Sequence, residues 1–231
     1  MTADGARPAV LFDVDGTLID SNYLHVHAWY RAFNGVGLDV ESWRIHRSIG
    51  MDGSRLVAIL AEDADDDTRA RAKDLHSHYY KETAPLLRRL PGVRELLEAV
   101  DKLGLQIVLA TSAPEDELSI LRGVLASDDL VSAVTSSNDV DTAKPESDIV
   151  QVALKRAGVD VAHAVFVGDT VWDVEACERA GVPTIAVLSG GVSRGELETA
   201  GAEAVFDNPR DLCEHLDSTA IGTLAKAVPT A

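Results

Sequence analysis

The stretch Ala9-Val10-Leu11-Phe12-Asp13-Val14-Asp15-Gly16-Thr17-Leu18 decides the fold, because an apolar run there ends abruptly in two carboxylates, a glycine and a hydroxyl. The β-branched and aromatic content of the run and its short length predict a strand covered on both faces. Gly16 supplies the backbone freedom for a turn directly after it. On an extended backbone Asp13 and Asp15 project to the same side, while Val14 points away into the core. Two acids in one small space repel unless one is protonated or a cation sits between them, and both remedies suit catalysis.

Working outward, the segment from Ser21 to about Lys81 has no convincing buried strand. Instead Tyr23, Val26, His27, Tyr30 and Phe33 recur at helical spacing, followed by Leu56, Ile59 and Leu60, then Leu75 and Tyr79. Gly35 and Gly37 close the first helix, and the acidic stretch Asp63 to Asp67 caps the start of another. Beyond Pro85 and Pro91-Gly92 the pattern alternates between helices and strands, as a parallel sheet with crossover helices requires. Strands are predicted at Gln106 to Ala110, Val131 to Thr135, Ala164 to Val167, Pro183 to Leu188 and Ala204 to Phe206. Helices are predicted at Val93 to Leu103, Glu115 to Leu125, Asp148 to Ala157 and Val171 to Ala180.

The expected fold is therefore α/β, a doubly wound parallel sheet interrupted after its first strand by a helical insertion. The core would comprise 1–20 and 85–231, and the insert 21–84. Two connectors, Ile19 to Asn22 and Ala84 to Pro91, would let the insert rock as a lid. Ser218 to Ala231, small and polar, is expected to be poorly ordered.

Ligands of open parallel sheets bind outside the carboxyl ends of the strands. Here those ends carry the polar groups. The first run ends in Asp13 and Asp15, the next in Thr111 and Ser112, a later loop holds Lys144-Pro145, and Val165-Phe166-Val167 ends in Gly168-Asp169, with Asp173 four residues on. Asp169 and Asp173 at i,i+4 repel mildly unless something binds them, or they complement a helix N-terminus. With Asp13 they offer the hard oxygen ligands that Mg²⁺ takes. Lys144 is the best-placed fixed cation for a phosphate dianion, and Thr111 and Ser112 could donate hydrogen bonds to phosphoryl oxygens.

The 231 residues, 46% of them hydrophobic, support one large domain or one domain carrying a smaller insert. Lys plus Arg number 21 against 38 Asp plus Glu, a net charge of -17, which argues against nucleic acid or an anionic membrane as partner. An anionic substrate must then be met by local positive charge or metal. Only Cys177 and Cys213 occur, and no apolar run is long enough to span a membrane, so a cytoplasmic setting is expected. Cys177 reads as a packing residue. The pairs His25 with His27 and His76 with His78 diverge on a helix and read as ordinary helix residues.

Four ordered motifs resemble those of the haloacid dehalogenase superfamily: D-V-D-G-T-L at Asp13 to Leu18, A-T-S at Ala110 to Ser112, K-P at Lys144-Pro145, and G-D-T-V-W-D at Gly168 to Asp173. They cover nearly the whole chain, and the helical insert is similar to the helical cap of the first subfamily, which holds phosphoglycolate phosphatases and β-phosphoglucomutases. The resemblance implies an aspartyl phosphate on Asp13, with Asp15 as general acid and then general base. It implies Mg²⁺ held by the Asp13 side chain, the Asp15 backbone carbonyl and Asp169, with Asp173 acting through water or behind the ligands. Thr111 and Lys144 would position and neutralise the phosphoryl group. Serine at Ser147, where many relatives have a second proline after K-P, is expected to affect the loop more than the chemistry. In the insert, Arg47, Gly50 and Arg55 are the candidate substrate contacts, since lids in this family reach the site by such a loop.

The reading that follows is a Mg²⁺-dependent phosphomonoester hydrolase acting on a small phosphorylated metabolite. A phosphomutase of the β-phosphoglucomutase type would keep every core residue and differ in how the cap excludes water. A phospho-acceptor signalling or binding protein would share the Asp, the metal, the hydroxyl and the Lys. The insert over the site and Asp15, which shortens the life of an aspartyl phosphate, oppose it. Asp15 also disfavours a dehalogenase.

Overall fold

A computed structural model describes residues 7–136 and 148–226 of the chain. The run Ala9–Phe12 is strand β1, and each of its four residues is 0% exposed. It lies in the middle of a six-stranded sheet with β4 (Gln106–Leu109) on one side and β6 (Ala164–Gly168) on the other, both parallel to it. Beyond β4 lies β5 (Ala133–Val134), and beyond β6 lie β7 (Thr184–Val187) and β8 (Ala204–Phe206), giving the order β5-β4-β1-β6-β7-β8. The chain thus builds outward from β1 in one direction and then restarts beside it in the other. The point of reversal sits at the carboxyl end of β1, where such sheets bind ligands.

The two-residue period of β1 explains why the sheet is covered on both faces. Val10 and Phe12 pack with Leu96 and Leu97 of helix α5 (Val93–Lys102) and with Ile221. Ala9 and Leu11 pack on the opposite face with Ile149 and Ala153 of α7 (Asp148–Ala157) and Cys177 of α8 (Val171–Ala180). Cys177 is 0% exposed and serves packing. Helices α6 (Glu115–Leu125), α9 (Arg194–Ala200), α10 (Pro209–Glu214) and α11 (Ala220–Ala225) complete the layers.

Helix α11 corrects the expectation of a poorly ordered end from Ser218. Thr219 caps it through Ile221 N, and Ile221 and Leu224 are buried in the main core. Two apolar side chains at i,i+3 suffice to dock a short helix, a signal diluted by the small residues around them.

Between β1 and α5 the chain forms α1 (Asn22–Gly35), α2 (Ser42–Ser48), α3 (Gly53–Leu60) and α4 (Asp66–Glu82), which share a hydrophobic cluster of their own. Asp65 caps α4 by accepting from Thr68 N, within the acidic stretch expected to do so. The buried stripe of α1 is Val26, Trp29, Ala32 and Phe33, whereas Tyr23 and Tyr30 are exposed. The periodicity of the aromatic residues pointed to a face rotated from the true one, because a tyrosine presents an apolar ring without being a core residue. In α3, Ile59 is likewise exposed and Val57 buried.

The two connectors are not independent tethers. Ile19–Asp20 (β2) and Arg88–Arg89 (β3) pair antiparallel, Ile19 with Arg89 and Asp20 with Arg88. Leu90 N also donates to Leu18 O at 3.0 Å. The chain enters and leaves the helical segment through one two-stranded ribbon.

Candidate active site

The site begins with how the backbone leaves β1. Asp13 N donates to Val167 O at 2.9 Å, continuing the ladder with β6 by one residue. The chain then curls: Leu18 N and Ile19 N both donate to Val14 O, at 2.9 and 3.0 Å, and Gly16 N donates to Ile19 O at 2.8 Å. Gly16 takes φ +76°, and a Cβ there would lie 2.4 Å from Asp169 Oδ2, so both the turn and the close approach require glycine. The curl delivers Asp13, Asp15 and Thr17 to the same rim.

Asp169, at the end of β6, is 0% exposed. Thr17 Oγ1 donates to its Oδ1 at 2.7 Å, and Asn22 Nδ2 donates to its Oδ2 at 2.8 Å. Asp13, Asp169 and Asp173 each offer a carboxylate oxygen within 4.8 Å of the others, and all three are buried. Burial raises the Asp169 pKa well above the carboxylate range, the charges of Asp173 and Asp13 add to the rise, and the Thr17 and Asn22 hydrogen bonds oppose it. A divalent cation would compensate three buried acids so disposed, and their hard oxygens are the donor type Mg²⁺ takes. Asp173 serves a second purpose: its Oδ2 accepts from Thr170 N at 3.0 Å and from Thr170 Oγ1 at 2.6 Å, closing a capping box on α8. The helix-cap role and a place in the acidic cluster, two readings of this residue, coexist in one side chain.

Asp15 faces a different set of partners. Ser21 Oγ donates to its Oδ1 at 2.6 Å, Tyr80 Oη donates to it at 3.4 Å, and His25 Nε2 lies 3.3 Å from it. His25 stacks on Tyr80 at 3.8 Å between centroids, and its Nδ1 lies 3.1 Å from His76 Nε2. His76 in turn stacks on Trp29 at 3.9 Å. Burial, reinforced by the charge of His25, holds the His76 pKa well below the usual imidazole value, so this ring is neutral. Burial and the charge of Asp15 push the Tyr80 phenol far up, keeping it a donor.

His25 and His76 are two of the site residues that the sequence reading passed over. Each was weighed against its i+2 neighbour, whereas its partner comes from another helix. The available signal was the register of α1: His25 falls one turn before Trp29 on the side that meets α4.

Asp13, Asp15, Thr111, Ser112 and Gly50 line one cavity of about 410 Å³, roofed by residues of α1, α3 and α4. Thr111 follows β4, where its N donates to Thr135 Oγ1 and its own Oγ1 accepts from Ala113 N, which fixes the loop before α6. Gly50 takes φ +94°, and a Cβ there would lie 2.6 Å from Thr170 Oγ1, so the 49–51 loop rests directly on the start of α8. Arg47 is exposed and lies outside the cavity lining. Its guanidinium pairs with Glu196 of α9, and its carbonyl accepts from Trp172 Nε1 at 3.3 Å. Arg55 is exposed on α3 and also outside the lining. Lys144 and Pro145 lie outside the described residues.

The family model of the haloacid dehalogenase-like hydrolases matches residues 10–187. The chain is 31% identical over 210 residues to a phosphoglycolate phosphatase of Rhodospirillum rubrum, covering 87% of each chain. It is 28% identical to an N-acetylmuramic acid 6-phosphate phosphatase of Pseudomonas aeruginosa, over 90% of this chain and 94% of that one. The crystal structure of a hydrolase from Pseudomonas syringae superposes with a TM-score of 0.88 at 36% identity, over 93% of this chain and 100% of that chain.

Proposed function

The chain belongs to the haloacid dehalogenase-like hydrolases, and on that premise we propose that it is a phosphomonoester hydrolase that cleaves a small phosphorylated metabolite through an aspartyl phosphate on Asp13. One observation carries the reading. Asp13 belongs both to the buried acidic cluster with Asp169 and Asp173 and to the lining of the cavity that holds Asp15, Thr111 and Ser112. A nucleophile, a proton donor, a cation site and hydroxyl donors thus converge on one space, as phosphoryl transfer requires.

In the first half-reaction an Asp13 carboxylate oxygen attacks phosphorus. Asp15, oriented by Ser21, Tyr80 and His25, gives its proton to the departing alkoxide. In the second, Asp15 takes a proton from the water that attacks phosphorus, which frees Asp13 and releases phosphate. Thr111 and Ser112 hold the phosphoryl oxygens, and Lys144 is assigned the neutralising cation. The residues fit Mg²⁺, which would be held by the Asp13 carboxylate, the Asp15 carbonyl and Asp169, with Asp173 behind them. When bound, the ion supplies charge neutralisation to the carboxylates and to the phosphoryl oxygens.

Segment 21–84 acts in this account as a cap over the cavity, with the ribbon of β2 and β3 as its stalk and the Gly50 loop as one of its contacts with the core. Arg47 fastens the cap edge to Glu196. No described helix is long and apolar enough to cross a membrane. Phosphate release from a panel of phosphorylated metabolites, with Mg²⁺ and again with excess chelator, tests the proposal. Chelator-sensitive release supports it. Sugar phosphates isomerised without release would point to a mutase, and no turnover of either kind would refute an enzymatic role.

A further inference from the structure

The cap-facing half of the cavity has an uneven charge inventory. Beyond the phosphoryl end the lining carries the carboxyls of Asp52, Asp74 and Glu117, while Lys73 is the one lysine or arginine among the described lining residues. Lys73 Nζ is already engaged, donating to Ser54 Oγ at 2.7 Å.

Glu117 is the informative member. It lies on α6, the core helix that follows Thr111, and is only 5% exposed although it lines the cavity. Its Oε1 accepts from Ser77 Oγ of α4 at 2.9 Å, so the core and the cap meet at this carboxyl. Burial raises its pKa, the charge of His25 and the Ser77 hydrogen bond pull it down, and the charges of Asp15 and Asp116 add to the rise.

Such a wall discriminates between leaving groups. A second anionic group on the substrate would stand among the carboxyls of Asp52, Asp74 and Glu117, with the engaged Lys73 and the imidazoles of His25 and His76 as the other ionisable groups of the described lining beyond the phosphoryl end, an excess of like charge that costs affinity. An apolar leaving group would cover Glu117 without giving it a partner in place of water. A leaving group with several hydroxyls satisfies the carboxyl, and a cavity of about 410 Å³ falls in the range that houses small ligands.

Resting on the phosphatase reading, we infer that the leaving group is an uncharged polyhydroxyl, so that the substrate is a sugar or sugar-alcohol monophosphate. Glu117, fixed by Ser77, is the residue that selects it by accepting a hydrogen bond from a hydroxyl. Sites built to hydrogen-bond a hydroxyl reject analogues that lack it far more strongly than sites that sort by size.

The test compares kcat/KM for hexose and pentose monophosphates, sorbitol 6-phosphate, 2-phosphoglycolate, 3-phosphoglycerate, phosphoethanolamine and p-nitrophenyl phosphate. The hydroxyl-rich group should exceed the carboxylate-bearing pair by tenfold or more. Glu117→Gln should cost the best sugar phosphate at least tenfold more than it costs p-nitrophenyl phosphate, mainly through KM, and Ser77→Ala should shift KM in the same direction by less. Preference for 2-phosphoglycolate or 3-phosphoglycerate overturns the inference, as does preference for phosphoethanolamine, which would mark a cationic leaving group. Equal loss on all substrates in Glu117→Gln, with a normal melting temperature, overturns the role of that residue. Release from p-nitrophenyl phosphate with the wrong ranking leaves the hydrolase reading standing, whereas no release from any compound overturns both.

Discussion

Asn22 Nδ2 donates to Asp169 Oδ2 at 2.8 Å, so the first residue of α1 holds the carboxylate that directly follows β6. The cap therefore reaches the acidic cluster through a side chain that the sequence had placed in a connector. The other end of that amide, Oδ1, is buried with no hydrogen-bond partner among the described residues.

Replacing this residue separates the two effects. Asn22→Ala removes a hydrogen bond to a charged group, worth roughly 1.5–3 kcal/mol, and also removes a buried acceptor that has no partner, which offsets part of the loss. The expected net destabilisation is about 1–2 kcal/mol by urea denaturation. The variant should also need more Mg²⁺ to reach half of the metal-induced rise in melting temperature. Unchanged stability and unchanged Mg²⁺ response together would contradict the role given to this contact.

The acidic cluster makes stability depend on both pH and metal. Because burial and neighbouring charges raise the Asp169 pKa, the folded state binds a proton more tightly than the unfolded state. That contribution is fully present below the unfolded carboxylate value of 3.8 and is lost as pH rises through the higher folded value. The rise in melting temperature that Mg²⁺ produces should therefore grow from acid toward neutral pH. A constant difference across that range would speak against the cluster as the metal site.

Asp13→Asn removes one of the mutually repelling charges. The expected outcome is complete loss of turnover, a metal-free melting temperature at or above that of the parent protein, and a smaller Mg²⁺-induced rise. Near-normal activity in a verified sample would sink the nucleophile assignment.

His25→Phe keeps a ring stacked on Tyr80 while deleting the nitrogen 3.3 Å from Asp15. If His25 orients the proton donor, kcat should fall about 10- to 100-fold with little change in KM. A rise in KM alone, seen in steady-state kinetics, would make the histidine a substrate contact instead.

Gly50→Ala places a Cβ 2.6 Å from Thr170 Oγ1 at φ +94°, so it should lift the cap loop from α8, raise KM and cost about 1–3 kcal/mol. Gly123→Ala is the matched control. Gly123 is helical, exposed and has nothing within 4 Å of an added Cβ, so stability should rise by about 0.5–1 kcal/mol. Measuring both by denaturant titration separates strain from propensity.

The parts of the molecule readable from sequence are those in which one short run determines its own environment. Val10 and Phe12 against Ala9 and Leu11 declare a strand with two covered faces, and the polar residues after each strand declare the rim. What escaped was set by partners distant in sequence. Tyr23 and Val26 compete for the core by a rotation of α1 that its partner helices α2, α3 and α4 decide, and His25 finds His76 across the pair α1 and α4. The pairing of Ile19 with Arg89 needs two dipeptides to meet across the whole insert, and no local period encodes that. Asp173 was legible both as a cap and as a member of an acidic group, and its carboxylate closes the capping box of α8 while lying beside those of Asp13 and Asp169.

The central claim is that Asp13 carries the phosphoryl group. The most direct measurement is to quench the enzyme in acid during turnover of a hydrolysed substrate, reduce with borohydride, and sequence the peptides by mass spectrometry. An aspartyl phosphate is reduced to homoserine, so the account predicts homoserine in place of Asp13 and an unmodified Asp15. Reduction at another carboxylate, or none at all under conditions of full turnover, would contradict it.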